Sequence, residues 1–90
     1  MLSFLPKTPR DIMIEMRDKF KRRRKSLKLT QSQLSTRANV SLGSLKRFES
    51  IGQISLDSLL KLALVLECLE DFERICEKRD ERLKSIEDVL

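Results

Sequence analysis

The side chains of this sequence that can do chemistry are donors and cations rather than nucleophiles. Of 90 residues, 19 are Lys or Arg and 14 are Asp or Glu, and there is no His, Trp or Tyr. Without His, a Ser-His-Asp triad and a His-containing zinc site are excluded. Cys68 and Cys76 lack C-x-x-C spacing and are too few for a disulfide framework. They read as apolar side chains destined for burial. What remains is the basic run Lys19–Lys25, the pair Lys46 and Arg47, and the hydroxyls and amides of Gln31, Ser41, Ser44, Gln53 and Ser55. Such groups hold an anion; they do not break a bond. No nucleophile–base pair, metal-ligand cluster or phosphate loop stands in the sequence, so no enzyme, metal or cofactor is expected.

These groups must be positioned by helices. Two Gly, two Pro and 37% charged residues disfavour a turn-rich β fold. Thr8-Pro9-Arg10-Asp11 offers a cap, a proline at the first helical position and an acidic residue to close a capping box. Ile12, Met16, Phe20 and Leu27 then follow at helical spacing, predicting a first helix over about Pro9–Ser26 with these residues inward. Thr30-Gln31-Ser32-Gln33 is a second capping box, opening a short helix from Gln31 to about Arg37 with Leu34 and Ala38 inward. Asn39 suits the left-handed position that ends a helix. Ser41 caps a third helix, Leu42–Ser50, with Leu45 and Phe48 inward. Gly43 lies in its first turn, where either close backbone approach or a near-end position must excuse it. Residues 51–54 read as a loop. Ser55 caps a fourth helix through about Leu66, apolar on nearly all faces and so expected to be covered on more than one side, by another chain or by the C-terminal segment. A fifth begins near Glu70 with Phe72 and Ile75 inward. Phe72, Cys76, Leu83, Ile86 and Leu90 then fit an imperfect heptad seam, with Arg79 in the missing position.

Two short helices joined by a tight turn, with Leu34, Ala38, Val40, Leu45 and Phe48 inward, have the spacing of a helix-turn-helix. The residues Lys28-Leu29-Thr30-Gln31-Ser32-Gln33-Leu34-Ser35, Ala38-Asn39-Val40-Ser41 and Ser44-Leu45-Lys46-Arg47-Phe48-Glu49 closely resemble the Cro/cI (Xre) helix-turn-helix family over roughly Phe20–Phe72. The stretch from Val40 to Glu49, with Gly52-Gln53-Ile54-Ser55-Leu56, looks most like the HipB-like subgroup of antitoxins and repressors encoded with HipA-like kinase toxins. The resemblance implies an all-α, five-helix, lambda-repressor-like domain over residues 9–77. An N-terminal arm (1–8) and a C-terminal extension (78–90), helical or ordered by a partner, would flank it.

The resemblance also implies roles for individual residues. Gln31 would bond a DNA phosphate, a role that also follows from the free N–H groups and positive dipole of a helix N-terminus. Ser41, Leu42, Gly43 and Ser44 would form the end of the recognition helix that reaches base edges. Arg47, one turn further along the same face, would donate its planar fork to guanine. Lys46, Gln53 and Ser55 would contact the backbone. Arg24 and Glu49 match a partly buried ion pair of the family, which makes Arg24 structural. Where relatives often carry Gln-Gln or Gln-Ser, this sequence has Leu42-Gly43, so base reading rests on fewer side chains and DNA shape contributes more.

The charge is split in the same sense. Residues 1–50 hold 13 basic and 4 acidic side chains, and residues 51–90 hold 6 and 10. The basic half fits double-stranded DNA, and the acidic, leucine-rich half fits self-association or a second protein. The expectation is a homodimeric, cytoplasmic repressor of its own operon, associated with the nucleoid when bound to DNA, that binds a HipA-like kinase toxin. The alternatives are a stand-alone or phage-type repressor without a toxin, and a purely protein-binding module. The longest apolar run, Leu62–Leu66, is far short of the roughly 20 residues of a membrane span.

Overall fold

Helix ends set this architecture. The computed structural model describes residues 6–77. It contains α1 (Pro9–Ser26), α2 (Gln31–Ala38), α3 (Leu42–Ile51), α4 (Leu56–Val65) and α5 (Glu70–Glu73), with no strand among the described residues. Thr8 with Asp11 and Thr30 with Gln33 form reciprocal capping boxes at the starts of α1 and α2. The hydroxyls of Ser41 and Ser55 accept from the Ser44 and Ser58 N–H groups at the starts of α3 and α4. The first four helices are followed by a left-handed residue: Lys28, Asn39, Gly52 and Glu67. Only at Gly52 is glycine required twice over. Its φ is +77°, and a Cβ there would lie 3.2 Å from the Met13 carbonyl oxygen.

These caps keep the connections short, so the amphipathic helices meet at once. α3 packs against both α1 and α2, and α2 also packs on α4. The core is Phe20, Leu29, Leu34, Ala38, Val40, Leu45, Phe48, Leu59, Leu62, Ala63 and Leu66. Phe20 stands edge-on to Phe48, with ring centroids 5.5 Å apart, and 6.3 Å from Phe72. This triad joins α1, α3 and α5. Val40 is 5% exposed, so the turn 39–41 is pinned from within. The Ser35 hydroxyl also donates to the Val40 carbonyl.

Several expectations are corrected. Ile12 is 43% exposed: it begins the apolar stripe of α1 beyond the reach of the core. α3 extends one residue further than expected, to Ile51, before Gly52 turns the chain. On α4 the described residues cover one side only, and the second chain or C-terminal segment expected on the other lies outside them. Leu56 and Leu64 are 66% and 64% exposed, because α2 and the core take only the Leu59, Leu62 and Ala63 side. Ile75 is 62% exposed rather than inward. The cause is local: α5 ends at Glu73, and Cys76 has φ +67°, which turns the chain before a second helical turn can bury Ile75. The same turn interrupts the heptad seam between Phe72 and Cys76. Cys76 is exposed and Cys68 only half-buried, where both were expected inside. Leu83, Ile86 and Leu90, the extension 78–90 and residues 1–5 of the arm lie outside the described residues.

Candidate nucleic-acid interface

The exposed side of α3 is built by its cap and its period. Ser41 holds the first turn through the Ser44 N–H at 3.1 Å, and its hydroxyl donates to Ser44 Oγ at 2.8 Å. With Leu45, Phe48 and Glu49 turned inward, helical spacing turns Gly43, Ser44, Lys46 and Arg47 outward, and all four are exposed. Leu42 is half-buried. Among the described residues no atom lies within 4 Å of where a Gly43 Cβ would stand, so none of them requires glycine there. Its first-turn position lowers the cost, and it leaves a smooth patch of backbone at the tip of the helix.

Four of the expected contact residues line one polar cleft of about 300 Å³: Ser44, Arg47, Gln53 and Ser55, with Ile54 and Ser58. Arg47 Nη2 donates to Gln53 Oε1 at 2.7 Å. Gln53 is held by the turn after Gly52, and Ser55 by its duty as the cap of α4. The Arg47 charge is met only by a neutral amide, and neither Arg47 nor Lys46 has an ion-pair partner among the described residues. The cleft therefore keeps its positive charge and several unused N–H and O–H donors, the chemistry that recognises phosphates and base-edge acceptors.

Gln31 lies apart from that cleft. It is half-buried, and its Nε2 donates to Glu49 Oε1 at 3.0 Å. Glu49 also accepts from Arg24 Nε at 2.7 Å and Nη2 at 3.0 Å, while Arg24 Nη1 donates to the Leu29 carbonyl at 2.8 Å. The Arg24 and Glu49 side chains are 9% and 4% exposed. Burial alone would push the Glu49 carboxyl up. The hydrogen bonds from Arg24 and Gln31, with the charges of Arg24 and Lys21, outweigh burial and hold it below the usual glutamate range. No buried side-chain polar atom among the described residues lacks a partner.

The basic run of α1 divides by partner. Arg24 is spent on Glu49. Arg23 Nε donates to the Leu66 carbonyl at 2.8 Å and so closes the end of α4. Arg17, just ahead of the run, donates to the Ser50 carbonyl at 3.0 Å near the end of α3. These carbonyl caps, and the Gln31–Glu49 bond, carry no signal in the sequence, since each joins residues brought together only by packing. A further cation, Arg37, was not singled out in the sequence. It lines a shallow, exposed hollow on α2 with Ser32, Gln33 and Thr36.

Among the described residues no group of His, Cys, Asp and Glu is placed to hold a metal ion. No helix there is long and apolar enough to cross a membrane. No curated protein and no solved structure matches the chain. Residues 20–72, more than half of the sequence, match the family described as Helix-turn-helix. That span runs from Phe20 of the aromatic triad through the capped pair α2–α3 to Phe72. The chain belongs to the Cro/cI-type helix-turn-helix family of DNA-binding regulators.

Proposed function

We propose that the protein is a sequence-specific transcriptional repressor that lays α3 in the major groove of operator DNA. The observation that carries this reading is the cleft that gathers Ser44, Arg47, Gln53 and Ser55 around a positive charge with no acidic partner among the described residues. Arg47 reads a guanine with its forked donors. Ser41, Ser44, Leu42 and the bare backbone at Gly43 meet the neighbouring bases and sugars. Lys46, Gln53 and Ser55 hold phosphates. On α2, Gln31 holds a phosphate on the other side of the groove. One such domain makes few contacts. We therefore infer a homodimer on a two-fold operator, with recognition helices about 34 Å apart.

Fluorescence anisotropy with duplexes tiled across the promoter of its own operon tests this. One duplex should bind at least about a thousandfold more tightly than an unrelated sequence at roughly 0.1 M salt. Its affinity should fall steeply as salt is raised, since bound lysines and arginines release counterions. Equal binding to all duplexes would sink the repressor reading.

A second reading assigns the protein a toxin partner of the HipA-like kinase class, which makes it an antitoxin that represses its own operon. It is favoured by the HipB-like wording of residues 40–56 and by the exposed Leu56, Leu64 and Ile75 on the acidic half. Co-purification with the product of a neighbouring gene tests it. If the neighbours encode no kinase-like protein and nothing co-purifies, the stand-alone repressor is left.

A further inference from the structure

Glu49 is an unusual group to find at the meeting point of three helices. It projects from the buried side of α3, yet one of its oxygens reaches the first residue of α2. Oε2 takes Arg24 Nε, while Oε1 is shared by Arg24 Nη2 and Gln31 Nε2. Arg24 alone would explain a structural ion pair. The bond to Gln31 is extra, and its direction has a consequence.

An ionised carboxylate only accepts hydrogen bonds. A glutamine amide has an accepting oxygen and a donating nitrogen, and in isolation it can present either. Facing Glu49, it must present nitrogen. Glu49 stays ionised at any ordinary pH because its two donors hold its pKa down. The Gln31 amide is thus locked in one of its two flips. Its nitrogen carries two N–H groups, and one is enough for Glu49. The second is left to spare, as are the backbone N–H groups of Gln31 and Ser32 at the start of α2, which lack partners within the helix. A flipped amide would set its oxygen against the Glu49 carboxylate, acceptor against acceptor, and lose the bond.

We propose that Glu49 is a positioning residue for DNA binding: it fixes the Gln31 amide so that one nitrogen bridges two anions, the Glu49 carboxylate and a DNA phosphate. This rests on the reading of Gln31 as a phosphate contact. Arg24 serves the same device at one remove, since its two bonds orient the carboxylate that orients the amide. The contact is blind to sequence, so its loss weakens every duplex alike.

The test is a double-mutant cycle on the full chain, read by anisotropy against the best-binding promoter duplex and an unrelated one. Gln31→Ala should weaken both by roughly three- to tenfold, the worth of one hydrogen bond. Glu49→Gln keeps the shape but lets the facing amide turn either way, and should weaken both by a similar factor. The double variant should bind no worse than Gln31→Ala, because Glu49 has nothing left to position. A merely structural role for Glu49 would instead add its loss to that of Gln31. If Gln31→Ala binds as tightly as the unmutated chain, the phosphate reading fails and the positioning role goes with it. If Gln31→Ala is weak but Glu49→Gln is not, if Glu49→Gln binds more tightly, or if the losses add, only the positioning role is overturned. Should Glu49→Gln not fold, the unmutated chain supplies the measurement through the Gln31 side-chain NH2 signals in nitrogen-15 NMR. On adding the duplex, one proton should shift while its partner, bonded to Glu49, stays in place. Movement of both, with the Glu49 bond released, overturns the proposal.

Discussion

Two arginines of this protein each donate to a side-chain oxygen at 2.7 Å, and they do opposite things. Arg24 meets a carboxylate inside the protein, with 9% of its side chain exposed, and a backbone carbonyl takes a further N–H. Arg47 meets a neutral amide on the surface, and among the described residues its charge has no acidic partner. Distance does not separate them; partner charge and burial do. The buried pair has its donors and acceptors matched within the chain, so it holds α1, α2 and α3 together. The exposed pair has matched one bond and kept the rest, so it can be released to a ligand. On the proposed reading the two divide the work: Arg24 holds the recognition helix in place, and Arg47 is what that helix would deliver to DNA.

The sharpest way to break this contrast is to remove the buried member. Arg24→Ala leaves the Glu49 carboxylate without its cation in a dry site and should cost about 3–5 kcal/mol in urea unfolding. In a domain this small, that is a large share of the total. Replacing both Arg24 and Glu49 by apolar residues of similar volume should recover most of the loss. A cost below about 1 kcal/mol for Arg24→Ala would mean that the pair is as solvated as a surface bridge, and the contrast would collapse.

Acid probes the same pair without mutation. The Glu49 carboxyl sits below its ordinary value of 4.5 when folded, so the folded state binds this proton less readily than the unfolded one. Its contribution is fully present above about 4.5 and is lost as pH falls from there through the lowered folded value. Thermal midpoints should therefore hold near neutral pH and drop below 4.5, and Glu49→Gln should flatten that drop. An identical drop in the variant would assign the acid sensitivity to other carboxylates.

For the exposed member the expected signature is reversed. Arg47→Ala should leave stability within about 0.5 kcal/mol and lower discrimination between the operator and a duplex altered at one guanine by about 1–3 kcal/mol. A uniform loss on all duplexes would instead make Arg47 a phosphate contact.

How much of this could be read from the sequence depended on how local each feature is. The capping boxes at Thr8 and Thr30, the serine caps at Ser41 and Ser55 and the left-handed Asn39 are decided within four residues, and the structure has them. The core positions Leu34, Ala38, Val40, Leu45 and Phe48 follow from helical period, and all are buried. Ile12 and Ile75 have the right period but lie past the ends of what they would pack on, and period says nothing about where a core stops. Cys76 went wrong for a related reason: a turn with φ +67° at a non-glycine residue has no strong sequence mark. The roles of Arg17 and Arg23 were out of reach because a carbonyl acceptor 33 or 43 residues away is set by packing alone. The direction of the Gln31 amide was hidden too: the resemblance supplied Gln31 as a contact residue and Glu49 as a structural one, and only the packed helices join them.

The smallest expected effect comes from the part of the exposed face that carries no side chain. Among the described residues Gly43 has nothing within 4 Å of where a Cβ would stand, and its φ is not in the left-handed region. Gly43→Ala should therefore fold normally and gain up to about 0.5–1 kcal/mol of stability from helix propensity. Its methyl group would project from the first turn of α3, the end proposed to enter the groove. Operator binding should weaken even as stability rises, and that opposition is the useful reading. A variant that is both more stable and equally tight would show that DNA keeps its distance from the helix tip. Arg47 would then reach its base across a gap, and the exposed arginine would carry base reading without help from the α3 backbone.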